Sequence, residues 1–463
     1  MKTFARKNII LIIALFICAA FILTGCASIS GIYKDGKPVS YDDIMYFKGQ
    51  VAQIENYLYY GNGYTASDSD GFDYDAAAAK GYLARINLDE IKYDRTEDED
   101  GNYDPSALGV EKVNDKLAGF ENQYMFALGE YLYFTSANTH KTGSLENDYS
   151  QVSIFRMKFD GSKFDEIGTF RSDDNSIITA QKGSDGDFYY IIYAPTSSDE
   201  SPTYNLYSIS IGKKIGKTVT LAEDVKSVAV CDENSTIRNV VYTVDSDRSE
   251  HETIAVKAVD FATGEVAAYG DNNDVAGSTT KMLGRVGDIV VYSYSSPKIA
   301  EEVFYKDLTT GDKHFSGTNK FHPLAMHDIQ AVGDGVMFIG DASGSLMYKS
   351  LDNVTQDAQR MLASSEFSDV LFADEDWIYY SNSTSNSTSI SRINVVDKKI
   401  EQIVSMTSII SGQCGYADGY IYFYAQLEDD GKADSDENAT SDTNYYLHRT
   451  DKNGTVQLLA NVK

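Results

Sequence analysis

Carboxylates dominate the chemistry of this chain: 69 Asp and Glu stand against 40 Lys and Arg, for a net charge of −29. They come in runs. Asp68, Asp70, Asp73 and Asp75 lie beside Tyr64 and Tyr74, Glu428, Asp429, Asp430, Asp434, Asp436 and Glu437 form a second run, and Glu97-Asp98-Glu99-Asp100 a third. Clustered carboxylates suit Ca²⁺, which takes about six to eight oxygen ligands. The spacing departs from the common calcium loop, however. In Asp68-x-Asp70-Gly71-x-Asp73 the glycine stands fourth rather than sixth, and no Glu stands twelfth. A solvated acidic surface without cofactor is the plain reading. Calcium at Asp68, Asp70 and Asp73 is the alternative, and it predicts that millimolar Ca²⁺ raises the melting temperature.

Other chemistries find less support. The six histidines, His140, His251, His314, His322, His327 and His448, show no His-x-x-x-His or His-Glu-x-x-His spacing, so a zinc hydrolase motif is absent. His322 and His327 flank an inner strand of the sixth repeat described below and could face a central channel. The chain lacks a Gly-x-Ser-x-Gly elbow, a phosphate-binding loop and a dinucleotide fingerprint. Carboxylate pairs for glycoside hydrolysis meet in space rather than in sequence, so a carbohydrate-active enzyme stays open although no catalytic residue is singled out. Nucleic acid is excluded as a partner, because phosphates would be repelled by this charge.

Lys2, Arg6 and Lys7 precede an apolar stretch from Ile9 to Leu23, 15 residues long. A membrane-spanning helix needs ~20, so the segment reads as a cleaved export signal. It ends in Leu23-Thr24-Gly25-Cys26, which resembles the lipobox of bacterial lipoproteins. That resemblance implies removal of residues 1–25 and diacylation of Cys26 on sulfur. Two acyl chains anchor stably, at ~0.8 kcal/mol per buried CH₂, where one does so marginally. Cleavage removes three positive charges and no acid, so −29 becomes −32. The expected location is outside the cytoplasm, moored to a bacterial membrane. Only Cys231 and Cys414 then remain, too few for a disulfide framework.

What positions all these residues is a repeat. An apolar-aromatic triplet recurs as Leu58-Tyr59-Tyr60, Leu132-Tyr133-Phe134, Tyr189-Tyr190-Ile191, Val240-Val241-Tyr242, Val290-Val291-Tyr292, Val336-Met337-Phe338, Ile378-Tyr379-Tyr380 and Ile421-Tyr422-Phe423, at spacings of 74, 57, 51, 50, 46, 42 and 43 residues. Propeller blades of four strands repeat every ~40–50 residues. A second strand follows each triplet, for example Ile154-Phe155-Arg156-Met157 or Leu447-His448-Arg449, then a turn such as Asp160-Gly161 or Asn453-Gly454, and turns at Asp185-Gly186, Asp334-Gly335 and Asp418-Gly419 precede their triplets. Asp-Gly and Asn-Gly suit tight hairpins because Gly takes positive φ cheaply. No mature segment carries a sustained helical period. Each unit thus reads strand, turn, Tyr-rich strand, loop, strand, turn, strand. The 34 tyrosines could form a sugar-stacking surface, but those of the triplets read as packing between sheets.

The repeat, from about residue 50 onward, resembles bacterial extracytoplasmic propellers with blades like those of the low-density-lipoprotein-receptor propeller. Asp376-Trp377-Ile378-Tyr379-Tyr380-Ser381-Asn382 followed by Ser391-Arg392-Ile393 is the nearest copy of that family's signature. The fourth and fifth units depart, with Val-Val-Tyr in place of paired tyrosines. A different eight-bladed lipoprotein family, which assists outer-membrane barrel assembly, is Trp-rich, and the single Trp377 here argues against it.

The expected architecture is all-β: a signal over residues 1–25, a short tether over 26–45, and one β-propeller over 46–463 with eight four-stranded blades, or seven if the long first unit is irregular. Long second-to-third-strand loops in units 8, 1 and 2 would then sit side by side on one face. That places Tyr64, Asp68, Asp70, Asp73, Tyr74, Asp75, Asp429, Asp430, Asp434 and Asp436 on a candidate binding face for a protein or glycan partner. In a ring, Cys231 and Cys414 lie on opposite sides, which excludes a disulfide because the Cα atoms must lie within ~7 Å. The expected function is a non-catalytic binding or interaction scaffold.

Overall fold

The computed structural model describes residues 44–47, 51–62, 82–89, 110–117, 125–137, 150–246, 254–271, 277–310, 315, 320–321, 326–340, 344–351, 357–385, 387–409, 414–425 and 445–462. Nearly all of these lie in antiparallel strands or the turns between them, and no α-helix occurs among them. The strands form seven hydrogen-bonded sheets. They resolve into eight successive meanders, spanning 51–117, 126–171, 177–230, 219–271, 279–321, 326–362, 369–406 and 415–462.

The third and fourth meanders share one long strand, Val219–Val230. Its first half pairs with Tyr204–Ile211, as at Tyr207↔Thr220, and its second half with Asn239–Asp245, as at Val228↔Tyr242. The strand must turn between these duties. Asp224, with φ 52°, and register shifts on either side of Val225 mark that point.

Side-chain alternation along each second strand explains the triplets. Successive residues point to opposite sides of a sheet, and here both sides are buried. Tyr60 joins Val51 and Leu58 against Tyr422, Tyr424 and Leu447 of the eighth meander, whereas Tyr59 joins Leu83 against Leu132, Phe134 and Phe155 of the second. Eight such apolar clusters occur among the described residues, each drawn from two consecutive meanders. The eighth couples last to first, so the sheets form a closed circle, a β-propeller. At that seam the Tyr424 hydroxyl donates to the Gly61 carbonyl, and Tyr422 donates to Gln53 Oε1 at 2.7 Å.

The chain enters by a short strand, Met45–Tyr46, which pairs with Phe126–Leu128 at the first edge of the second meander. Ile44 is buried there, and the Tyr46 hydroxyl donates to the Ala180 carbonyl at 2.8 Å.

Turn chemistry follows the expected pairs, with one shift. Asp418 and Gly419 both take positive φ, 49° and 77°, as a two-residue hairpin demands. The turn expected at Asp334-Gly335 falls one residue earlier. Gly333 takes φ 54°, while Gly335 starts a strand so close to the Lys349 carbonyl that a Cβ would lie 2.3 Å from it.

Candidate functional site

All ten residues of the expected binding face lie outside the described residues: Tyr64, Asp68, Asp70, Asp73, Tyr74, Asp75, Asp429, Asp430, Asp434 and Asp436. So do Leu23, Thr24, Gly25 and Cys26. The strands that lead into the two acidic insertions are described. They end as neighbours, since Gly61 and Tyr424 share a hydrogen bond across the seam. Cys231 and Cys414 form no disulfide: each is buried in a different inter-sheet cluster. Burial pushes the Cys414 thiol up to about 12. His448 is buried and stacked on Phe423, with ring centroids 5.4 Å apart. His322 and the side chain of His327 lie outside the described residues.

A second arrangement recurs at the other end of the meanders, where first joins second strand and third joins fourth. An arginine on the third strand lies over an aromatic ring that opens the second strand: Arg85 over Tyr57 at 5.1 Å, Arg156 over Tyr131 at 4.2 Å, Arg392 over Trp377 at 4.1 Å and Arg449 over Tyr420 at 4.5 Å. Cation–π contacts of this kind contribute about 0.5–2 kcal/mol. The fourth strand supplies a partner for the guanidinium: Glu111, Asp165, Glu401 and, in the eighth meander, Gln457.

In the first two meanders this unit also grips the next sheet. Arg85 Nη1 donates to the Phe159 carbonyl at 3.0 Å, and the Tyr59 hydroxyl donates to the same oxygen. Arg156 Nη1 donates to the Gly212 carbonyl at 2.7 Å, with Tyr133 donating to it at 3.3 Å. Phe159 and Gly212 each directly follow a third strand, Gln151–Lys158 and Tyr204–Ile211. Two donors from one sheet thus hold one carbonyl of its successor, and both arginines are buried.

Between the seventh and eighth meanders the grip is open. Arg392 lies on Thr388–Asn394 and holds Glu401 through Nε at 2.9 Å and Nη2 at 2.6 Å. Its Nη1 reaches only the Tyr379 hydroxyl, at 3.2 Å. The residue that follows the third strand here, Tyr445–Thr450, is Asp451. Among the described residues neither Arg392 nor Tyr379 bonds its carbonyl. A cleft of about 950 Å³ occupies the place, lined by Trp377, Tyr379, Arg392, Tyr416, Tyr420 and Asp451 among others.

The cleft carries fixed charge. Glu401 is held below the usual carboxylate range by hydrogen bonds from Lys399, at 2.7 Å, and from Arg392. Hydrogen bonds to Tyr379 and Glu401 outweigh the burial that opposes the charge on Arg392, and raise its pKa. Asp374 accepts from the Tyr416 hydroxyl at 3.0 Å, and Tyr416 is pushed up by burial and by that carboxylate. Asp451 is held low, mainly by the backbone N–H of Thr455 and then of Asn453. Asp374, Glu375, Glu401 and Asp451 line the site against Arg392 and Lys452, an excess of negative charge.

Sequence patterning did not single out this cleft. Its signal was present as the aromatic, arginine and acid of successive strands. The variable loop between second and third strands hides it, for Tyr57 and Arg85 are far apart in sequence while Trp377 and Arg392 are close.

No known protein family and no curated protein matches the sequence. Among solved structures the chain is similar to a prolyl endopeptidase, at 12% identity and a TM-score of 0.43, over 84% of this chain and 56% of that one. It is also similar to the β-propeller domain of the trilobed protease from Pyrococcus furiosus, at 10% identity and a TM-score of 0.38, over 72% of this chain and 96% of the domain. An uncharacterised protein from Listeria monocytogenes gives 10% identity and a TM-score of 0.37, over 71% and 91% of the two chains. The chain thus spans little more than half the length of the endopeptidase.

Proposed function

We propose that this chain is a lipoprotein, moored outside the cytoplasm through diacylated Cys26, whose eight meanders are the blades of one propeller of the low-density-lipoprotein-receptor type. It acts as a non-catalytic binding scaffold. The observation that carries the binding reading is the open grip: the donor pair that locks neighbouring sheets together elsewhere faces a cleft at Arg392 and Tyr379. The acidic insertions around Asp68–Asp75 and Asp429–Asp436 leave the meanders from the opposite end and form a second candidate surface.

The charge state of two of the four carboxylates that line the cleft favours binding over catalysis. A glycosidase needs one carboxyl with a raised pKa to protonate its leaving group. Glu401 and Asp451 are both driven the other way by their hydrogen bonds. A carbohydrate-active enzyme remains the alternative, favoured by Trp377 and Tyr420 beside Asp374 and Glu375 in one cleft.

Affinity capture with the full, lipidated chain from detergent-solubilised membranes tests the proposal. The expected result is a reproducible partner and no new reducing ends from oligosaccharides incubated with the chain. Release of reducing ends would replace the scaffold by the enzyme. Removing residues 67–79 should leave folding intact, and loss of the partner in that variant assigns the contact to the insertions.

A further inference from the structure

We infer that the cleft between the seventh and eighth meanders binds an extended peptide segment of a partner protein, holding one backbone carbonyl on Arg392 Nη1 and Tyr379 Oη and a cationic side chain beside Asp374 and Glu375. The inference rests on the scaffold reading and specifies its ligand.

The molecule itself shows what this donor pair is built to hold. At both interfaces where it is closed, the occupant is a peptide carbonyl, of Phe159 and of Gly212. In each case the arginine commits Nε and Nη2 to an acid of its own sheet and keeps Nη1 for the neighbour. Arg392 repeats the first half of that pattern on Glu401. Its Nη1 donates one hydrogen to the Tyr379 hydroxyl, so the second Nη1 hydrogen and the hydroxyl hydrogen of Tyr379 are the donors left over, on two residues that line the cleft. A guanidinium fixed on an acid and an aromatic face is already ordered, so a ligand oxygen meets a pre-formed site and little side-chain freedom is lost on binding.

Charge and shape add to this. Glu401 is neutralised by Arg392, so Asp374, Glu375 and Asp451 face Lys452 as the single remaining cation among the lining residues. That balance selects against an acidic ligand and favours a Lys or Arg side chain. Trp377 and Tyr420 add aromatic walls to the cleft, each with one face covered by an arginine of its own sheet. A cleft of about 950 Å³ lies at the upper end of small-ligand sites, which is room for a few residues in extended form. A neutral sugar would use the aromatic walls, but it gives no reason for the acid excess or for a donor pair that elsewhere takes carbonyls.

The test uses the full chain in detergent, with an array of N-acetylated, C-amidated pentapeptides carrying Lys or Arg at the centre. A matched set has Glu there, and an array of neutral glycans runs alongside. The variants are Tyr379→Phe and Arg392→Lys in the cleft, and Tyr133→Phe as the equivalent change at a closed interface. Circular dichroism confirms that each variant is folded. The expected result is binding of Lys- or Arg-centred peptides, weakened roughly tenfold or more by either cleft variant and unaffected by Tyr133→Phe. Preference for Glu-centred peptides, binding by both cleft variants as tight as by the wild type, or binding to glycans alone would each overturn the inference. If no pentapeptide binds while the chain still captures a partner from solubilised membranes, the peptide assignment fails and the scaffold stands. If both fail, so does the scaffold reading.

Discussion

One carbonyl oxygen shared by two donors is a sensitive place to measure what a single hydroxyl contributes. Tyr133→Phe removes one donor from Gly212 O and leaves Arg156 Nη1 at 2.7 Å. The carbonyl stays satisfied, so the cost should be about 1 kcal/mol. Arg156→Ala removes the stronger donor, the packing on Tyr131 and the pair with Asp165. Asp165 is 46% exposed, so its pair contributes little. The loss should come from packing and the weakened grip, about 2 kcal/mol in all. Urea denaturation should rank wild type above Tyr133→Phe above Arg156→Ala; equal midpoints for all three would show that the grip does not hold the sheets.

Asp288 gives the sign of the acid response. Its carboxylate accepts from the N–H groups of Thr236 and Ile237, each at 3.1 Å, from the Thr236 hydroxyl and from Arg285. Burial opposes the charge, but these bonds outweigh it and hold the pKa below the ordinary value. A depressed carboxylate stabilises the fold fully above its unfolded pKa of about 4 and loses that contribution as pH falls through the folded value. Asp260 and Asp334 are lowered too, so the melting temperature should drop steeply below pH ~4. Asp288→Asn should be less stable at pH 7 and should lose less on acidification. A parallel pair of curves would remove Asp288 from the account.

At the scale of the strand, Val219–Val230 is the most instructive element, because it serves two meanders and breaks register where it changes partners. Asp224 at φ 52° sits at that point, in a region that costs a residue with a Cβ about 1 kcal/mol relative to Gly. Asp224→Gly should therefore hold or raise the melting temperature, and Asp224→Val should lower it. The backbone N–H of Asp224, which donates to Asn205 Oδ1 at 3.3 Å, is kept in both variants, so the reverse order would mean that the Asp side chain matters more than the backbone conformation.

The shared strand also marks where pattern reading stops. Triplets such as Leu58-Tyr59-Tyr60 were legible because alternation puts each residue on a defined face, and both faces are buried against neighbouring sheets. A hairpin such as Asp418-Gly419 was legible because only certain residues accept two positive φ angles in a row. The doubling of one strand between two meanders leaves no local trace. Neither does the open grip at Arg392, since its meaning lies in the contrast with Arg85 and Arg156, which appears only when sheets that are distant in sequence are placed side by side.

For the molecule as a whole, closure is what the sequence must achieve. Each sheet buries both faces, so a linear stack would leave one face of the first and one of the last exposed to water. The seam removes that problem by packing Val51, Leu58 and Tyr60 on Ala417, Tyr422, Tyr424 and Leu447. Fully burying large apolar side chains contributes about 1.5–3 kcal/mol each, and eight of them meet here once Ile86 and Leu459 are added and Ala417 is set aside. A change in the middle of a sheet weakens one interface, whereas loss of the last meander exposes two faces at once. Deleting residues 414–463 should therefore do more than subtract one unit. It uncovers the Val51, Leu58 and Tyr60 face of the first meander and the Phe372, Tyr379 and Ile390 face of the seventh, each an adhesive surface. The truncated chain should run as soluble aggregate on size exclusion and bind a hydrophobic dye, while the full chain elutes as a single species without dye signal. Tyr424→Phe, which loses only the bond to Gly61, should keep the single species and melt slightly earlier. A monodisperse truncation with unchanged melting would show that seven meanders close without the eighth, and the wheel would have to be redrawn around a different seam.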